Sequence, residues 1–229
     1  MRGVVYTDPA AVRAALDLPD GLGMNIFRIR TAELEARIAR LPSVRSARVR
    51  AWLPDRLEID VVERAAILAW ATDAGVWLVD GDGRLFTPAA AIEGDAPPPL
   101  PIVRDRRTVA TGGTGTVLAA EDLAVARALA GLAPAEVGSD ARGLALSVDD
   151  GDGWVLEVPG AWHAVFGIYT PTVRPVALLP AQVQCLAGIV GAREASLERI
   201  VLAPGPEGCG TFVGGPPARP TARPGARGG

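Results

Sequence analysis

Residues 41–64, LPSVRSARVRAWLPDRLEIDVVER, decide the fold of the N-terminal part of this chain. Apolar and charged residues alternate on both sides of residues 52–55, WLPD, and a period of two is typical of β-strands with one buried face. The stretch therefore predicts a β-hairpin. Its buried face is predicted to consist of Ala47, Val49, Ala51, Leu57, Ile59 and Val61.

The same alternation predicts the register of the two strands. If Val49 faces Ile59, oppositely charged residues meet across the hairpin on its exposed side. The expected ion pairs are Arg50 with Glu58 and Arg48 with Asp60. Exposed pairs of this kind contribute about 0.2–1 kcal/mol each, so they help to fix the register while the apolar face supplies the stability.

Two helices are predicted before the hairpin. Residues 4–18, VVYTDPAAVRAALDL, indicate a short strand and then a helix, with Asp8 as N-cap and Pro9 in the first helical position. A second helix is predicted from Thr31 to Pro42, with acidic residues in its first turn and arginines in its last, as the helix dipole favours. The predicted order is strand-helix-helix-strand-strand, a two-layer α+β module.

Composition limits the classes of function. The chain has 229 residues, enough for one large or two small domains, and 49% of them are hydrophobic. Its net charge is −3, which gives no basic field for nucleic acid. We expect no transmembrane helix, because no apolar run approaches the ~20 residues that a bilayer requires.

The remainder of the chain predicts a β-rich domain with flanking helices. Residues 97–101, PPPLP, indicate an extended crossing, and residues 214–229 are a Pro/Gly/Arg-rich segment with the composition of a disordered tail. Strands are predicted at 66–70, 76–80, 143–148, 154–158, 163–169, 198–203 and 208–213, and helices at 119–132 and 180–190.

Three stretches imitate chemical motifs. The DGDG at 80–83 has Ala91 where a calcium loop needs a glutamate, so a tight turn is the better interpretation. The glycine-rich ATGGTGTV at 110–117 lacks the Gly-Lys-Ser/Thr that holds phosphates. His163 is the single histidine and has no nucleophile motif near it. We expect no catalytic residues, no metal and no cofactor.

Residues 26–70, IFRIRTAELEARIARLPSVRSARVRAWLPDRLEIDVVERAAILAW, resemble the POTRA domain of the bacterial cell-division proteins of the FtsQ (DivIB) family. Residues 76–86, VWLVDGDGRLF, resemble the next hairpin of that family. The resemblance implies a POTRA domain at 1–64, an FtsQ-type β domain at 65–213 and a disordered tail at 214–229.

The resemblance also has departures. Family members carry a cytoplasmic segment and one transmembrane helix before the POTRA domain, whereas this chain begins at the first POTRA strand, which suggests a truncated start. Ala65 and Ala66 stand where many members have a proline. The implied location is the cell membrane, single-pass in the full-length protein, with this part extracytoplasmic.

The function that the resemblance implies is protein binding rather than catalysis. Family members are divisome scaffolds that link early and late division proteins and hold FtsB- and FtsL-like partners, with FtsK as a further partner of the POTRA domain. Two alternatives stay open. One is a POTRA protein of an outer-membrane assembly or secretion system, and the other is an extracellular hydrolase.

By order of elements, residues 208–213, GCGTFV, are the strand along which the family adds a partner strand. The hypothetical binding residues are Cys209, Thr211, Phe212 and Val213. Phe212 either anchors the partner or caps the domain's own core. Thr211 and Val213 alternate with Phe212 and are expected to face the opposite side of the strand. Cys185 and Cys209 either form a disulfide or are two buried thiols.

Overall fold

The computed structural model describes residues 5–17, 29–54, 56–91, 100–205 and 208–214. Residues 97–99 of the proline cluster and 215–229 of the predicted tail lie outside the described residues. The chain divides into two compact units, residues 1–123 and 124–229. The predicted domain boundary at residue 64 lies within the first unit.

The two predicted N-terminal helices are present. Helix α1 covers Pro9–Leu16, and the Asp8 carboxylate accepts a hydrogen bond of 2.7 Å from the Ala10 N–H, which confirms the predicted N-cap. Helix α2 covers Thr31–Ile38 and ends before Pro42. The described residues of the predicted first strand, 5–7, form a bend instead, because the N–H groups of Val5 and Tyr6 donate to the Glu63 carboxylate.

The predicted hairpin is formed by β1, Val44–Trp52, and β2, Arg56–Glu63, with Val49 opposite Ile59. This register is confirmed, but the expected ion pairs are wrong. Arg50 pairs diagonally with Asp60 at 3.3 Å, and Glu58 accepts a hydrogen bond from the Trp52 indole. The twist of the ribbon brings diagonal residues within reach of long side chains.

Both helices pack on one face of this hairpin. Val12, Leu34, Ile38 and Val49 are buried in that core. Ala47, Leu57, Ile59 and Val61 pack against it while partly exposed, as the alternation predicted, whereas Ala51 is exposed and its predicted burial is wrong. Burial of this face, at about 25 cal/mol per Å², provides the main stabilisation of the module.

Four further strands belong to the first unit, in the order β6-β3-β4-β5. Strands β3, β4 and β5 are antiparallel neighbours, and β6 runs parallel to β3. Their apolar side chains include Phe86, which meets the ring of Tyr6 edge to face at 5.5 Å. The bounds are Ala66–Thr72 for β3, Gly75–Asp80 for β4, Leu85–Pro88 for β5 and Ile102–Asp105 for β6. Helix α3, Ala120–Leu129, follows.

The second unit contains five strands in the order β7-β8-β9-β10-β11 and one long helix, α4, at Leu179–Arg193. The pairs are antiparallel except for β9 and β10, which are parallel because α4 forms the crossover between them. The strand bounds are Ala145–Asp149, Gly153–Glu157, His163–Gly167, Leu197–Leu202 and Gly210–Gly214. The predicted α+β fold class, with a β-rich second part, is confirmed.

Helix α4 corrects one expectation from the sequence. With its flanking turns it forms a helical segment, Val176–Ser196, that is long and apolar enough to cross a membrane by length and composition alone. Four of its residues, at helical spacing, are buried: Leu179, Gln182, Leu186 and Val190. A helix with one buried face of this kind fits the core of a domain as well as a membrane span.

Candidate partner-binding surface

Strand β11 is the last strand at its end of the sheet among the described residues. It pairs with β10 on one side, and all five of its residues are exposed. An edge strand presents a row of unpaired backbone groups on its outer side, which is a template for another strand. The predicted binding segment therefore does lie on an edge.

The pairing with β10 decides which backbone groups face outward. The Ala203 N–H donates to the Cys209 carbonyl, and the register continues with Val201 opposite Thr211. In an antiparallel ladder, pairs of residues that are joined by backbone hydrogen bonds alternate with pairs that are not. Ala203 and Cys209 are a bonded pair, so Val201 and Thr211, two residues further along, are bonded as well. The backbone of Thr211 is therefore directed at β10. The N–H and C=O groups of Phe212 consequently point to the open edge.

The register also decides the face on which each side chain lies. Phe212 stands opposite Ile200, which is fully buried, and the Arg193 guanidinium at the end of α4 lies 4.5 Å above the Phe212 ring. Phe212 thus shares the α4 side of the sheet and still keeps 42% of its surface exposed. Thr211 and Val213 lie on the opposite side and are also exposed.

Cysteines 185 and 209 tie β11 to the helix behind it. Cys185 lies in α4, and a disulfide joins it to Cys209, with the two Cα atoms 5.1 Å apart. Because β11 buries none of its residues, the disulfide, the β10 ladder and the Arg193 contact hold it in place. The open edge is therefore presented on a fixed strand.

Part of the exposed apolar surface of the second unit lies at this edge. In the described residues of the second unit, the large hydrophobic side chains that are exposed are Ile168, Val173, Val201, Phe212 and Val213. Three of them lie on β10 and β11, and two lie in the turn that follows β9. Exposed apolar side chains beside an open strand edge are a feature of many protein-binding sites. The sequence did not predict the contribution of Ile168 and Val173.

Hydrogen bonds connect that turn to α4 and to the end of β10. The Tyr169 hydroxyl bonds to the Gln182 side chain, and the Gln182 amide donates to the Ala203 carbonyl at 2.9 Å. Burial raises the pKa of Tyr169 well above its usual value, so the hydroxyl stays protonated and available as a donor. The turn after β9 is thus tied through α4 to the residue that follows β10.

Glu194 fixes the other end of β10. Its carboxylate accepts hydrogen bonds from the Ser139 hydroxyl, from the Trp162 indole at 2.9 Å and from the Asp140 N–H at 3.1 Å. Burial opposes ionisation, but these donors outweigh it and lower the pKa of Glu194 below its usual value. A carboxylate whose lone pairs are taken in this way positions loops and has little capacity for acid–base work.

The motif-like stretches have structural roles. Asp80 accepts hydrogen bonds of 2.9 Å from the N–H groups of Asp82 and Arg84 and pairs with Arg64, so the DGDG forms the predicted turn. His163 lies 3.3 Å from the Arg199 guanidinium. In the glycine-rich stretch, the Gly115 N–H donates to the Leu85 carbonyl, and the Leu85 N–H donates to the Thr116 carbonyl. No group of three or more metal-binding side chains occurs among the described residues.

The sequence is similar to known cell-division proteins. Residues 1–64 match the model of the POTRA domain, FtsQ-type. The chain is 32% identical over 148 residues to the cell division protein FtsQ of Mycobacteroides abscessus, which covers 61% of this chain and 43% of the relative. It is 32% identical over 145 residues to that of Chloroflexus aggregans, covering 60% and 51%, and 38% identical over 78 residues to that of Xanthomonas campestris, covering 34% and 27%. The matches thus span about half the length of these relatives, or less.

Proposed function

Because the chain belongs to the FtsQ/DivIB family of cell-division proteins, we propose that it is a non-enzymatic scaffold of the divisome. It links early and late division proteins by binding them. Its partners are FtsB- and FtsL-like proteins at the second unit and an FtsK-like protein at the POTRA module. The domain boundaries proposed for this arrangement are 1–64 and 65–213.

The observation that carries this proposal is the open outer edge of β11, together with the exposed apolar side chains of β10 and β11. A partner segment adds there as a further strand, with the outward N–H and C=O groups of Phe212 making backbone hydrogen bonds. The exposed part of the Phe212 ring gives the partner an aromatic anchor, since aromatic residues dominate the energetics of interfaces.

The proposal includes a location. The protein is held at the cell membrane, with this part on the extracytoplasmic side. The Cys185–Cys209 disulfide supports that side, because disulfides persist in oxidising compartments and are rare in the reducing cytosol.

The test uses proline at the edge. Phe212→Pro removes the outward N–H, and proline is tolerated on an edge strand when its missing N–H faces solvent. Phe212→Ala removes only the ring, so the difference between the two variants reports the backbone bond. We expect capture of the FtsB–FtsL-like partner to fall with Phe212→Ala and to fall further with Phe212→Pro.

Thr211→Pro is the matched control for folding. It removes an N–H that is directed at β10, so it should destabilise the strand itself. Thermal unfolding then separates a folded variant that cannot bind from an unfolded one. Equal capture by the parent and by a folded Phe212→Pro variant would refute strand addition at β11.

A further inference from the structure

The Cys185–Cys209 disulfide lies beside the open strand rather than in the core. Cys209 comes just before β11 and is exposed, and Cys185, on α4, is partly exposed. Packing shields a buried disulfide from thiols, whereas exposed disulfides are the labile ones that serve regulation and catalysis. An external thiol therefore has access to this bond from the Cys209 side.

Strand β11 is attached to α4 at two points. The disulfide lies at its start, and the Arg193 guanidinium lies near its end, 4.5 Å above the Phe212 ring. Cys185 and Arg193 are about 12 Å apart along the helix at 1.5 Å per residue. The stretch from Cys209 to Phe212 covers a similar length, roughly 10 Å at the rise of a strand. The first of these two attachments is covalent, and the second is a cation–π contact.

The remaining support of β11 is its ladder with β10. All five residues of the strand are exposed, so no buried side chain holds it. The ladder covers one side of the strand, from Gly210 opposite Leu202 to Gly214 opposite Leu197. Segments with few buried contacts open locally long before a domain unfolds. The covalent attachment is consequently the strongest restraint on β11.

We propose that the Cys185–Cys209 disulfide is a redox-cleavable latch on β11, opened by a dithiol protein of the thioredoxin class. A thiolate of the dithiol attacks the Cys209 sulfur, the S–S bond breaks, and its electron pair leaves on the Cys185 sulfur, which takes a proton from water. The second thiol of the reductant then displaces the Cys209 thiolate from the mixed disulfide. This chain gains two thiols, and the reductant is oxidised to a disulfide.

Opening the latch lowers binding at β11, an effect that rests on the proposed function. The outward N–H and C=O groups of Phe212 serve a partner strand while β11 is held in the sheet. A released strand has to be ordered when the partner binds, and affinity falls with the fraction of molecules in which the strand is in place. The oxidised chain is therefore the binding form.

The first experiment measures access to the bond and needs no partner. The folded full chain is mixed with dithiothreitol at several concentrations, thiols are alkylated at timed intervals, and the labels are counted by mass spectrometry. We expect a reduction rate that is proportional to dithiothreitol and nearly unchanged by urea below the unfolding transition. A rate that is independent of dithiothreitol, or that rises steeply with urea, would mean that global unfolding exposes the bond, and the inference would fail.

A thioredoxin without its resolving cysteine identifies the attacked sulfur. This reductant stops at the mixed disulfide, whose position is mapped after digestion. We expect the mixed disulfide on Cys209, with Cys185 released as a free thiol. A mixed disulfide on Cys185, or none while dithiothreitol reduces the bond, would overturn the proposed opening by a dithiol protein.

Hydrogen exchange tests whether the bond holds the strand. On reduction, the amides of Thr211 and Val213 should lose their protection, while those of Val155 and Val165, paired in the central strands, should remain protected. Arg193→Ala is the matched control, because it removes the cation–π contact and keeps the bond. Its β11 amides should stay protected in the oxidised state. Protected β11 amides in the reduced parent, or an equal loss in oxidised Arg193→Ala, would contradict a latch.

Capture of an FtsB–FtsL-like segment tests the effect on binding. Capture should weaken about tenfold or more on reduction and return on reoxidation, as expected when the ordered strand becomes a minor population. The Cys185→Ser/Cys209→Ser variant should bind as weakly as the reduced parent under both conditions. If the oxidised and reduced parent capture the segment equally, the inference fails while strand addition stands. If the oxidised parent captures nothing, the proposed function fails, and the reduction and exchange experiments still decide whether a dithiol releases β11.

Discussion

Removing the Cys185–Cys209 disulfide should lower the free energy of unfolding substantially. The two cysteines are separated by 24 residues, and the loop-closure entropy for that length corresponds to about 3.4 kcal/mol at 25 °C. The closed loop contains β10, whose Leu197, Ile200 and Leu202 are buried. The constraint therefore acts on a segment that must unfold with the core, and not only on the exposed strand β11.

The perturbation is the double variant Cys185→Ser/Cys209→Ser, compared with the parent by denaturant unfolding. A loss of about 3.4 kcal/mol corresponds to a fall of roughly 7–14 °C in melting temperature for a chain of this size. The parent measured in reductant should match the double variant. Hydrogen exchange should show that the amides of Thr211 and Val213 lose protection first, because β11 buries no side chain.

Two results would refute this reasoning. Alkylation of the unfolded parent without reductant, followed by mass spectrometry, should label neither cysteine, and two labels would mean that no bond exists. A double variant that matches the oxidised parent in both stability and exchange would mean that the ladder and the Arg193 contact hold β11 without the disulfide.

Three further predictions concern single side chains. Asp80→Asn should destabilise the protein by about 2–3 kcal/mol in denaturant unfolding, because it breaks a largely buried pair with Arg64; an unchanged midpoint would contradict that pairing. The pKa of Glu194 is lowered in the folded state, so the ionised carboxylate stabilises the fold above its usual pKa of 4.5, and this stabilisation is lost as the pH falls through the folded pKa. The difference in melting temperature between the parent and Glu194→Gln should therefore shrink from pH 7 to pH 3. A difference that stays constant over this range would refute the prediction. Gly138→Ala should lower the free energy of unfolding by about 1–3 kcal/mol, because φ is +73° and the new Cβ would meet backbone atoms of α4. Gly188→Ala, in open space on α4, should raise it by about 0.5–1 kcal/mol. Equal melting temperatures of the two variants would contradict this prediction.

Local patterns were enough to predict the two helices and the hairpin of the N-terminal module, but not the bend at residues 5–7. The register of the hairpin came from alternation alone, since a slip by one residue would expose Val49 and bury its charged neighbours. The ion pairs on that hairpin were not predictable in the same way. Which arginine reaches which carboxylate depends on the twist of the ribbon and on the Trp52 indole, which engages Glu58.

The candidate site was only partly accessible from the sequence. The strand near 208–213 was predicted from the order of elements, and the structure has it at Gly210–Gly214. The side of the sheet on which Phe212 lies was left open by the sequence. Phe212 and Val213 are neighbours and both apolar, so the alternation allows either of them to face the core. Pairing of Phe212 with Ile200 placed it on the α4 side.

The sequence by itself determined the helices, most of the strands and the register of β1 with β2, because these depend on residues close together in the chain. Tertiary structure decided which distant residues meet. The parallel pairing of β9 with β10 exists only because α4 carries the chain back across the sheet. Arg174 lies on Gly167 because a turn folds the chain back over the strand it has just left. Sequence periodicity cannot predict a contact between one arginine and one glycine, because that contact depends on the packing of the whole unit.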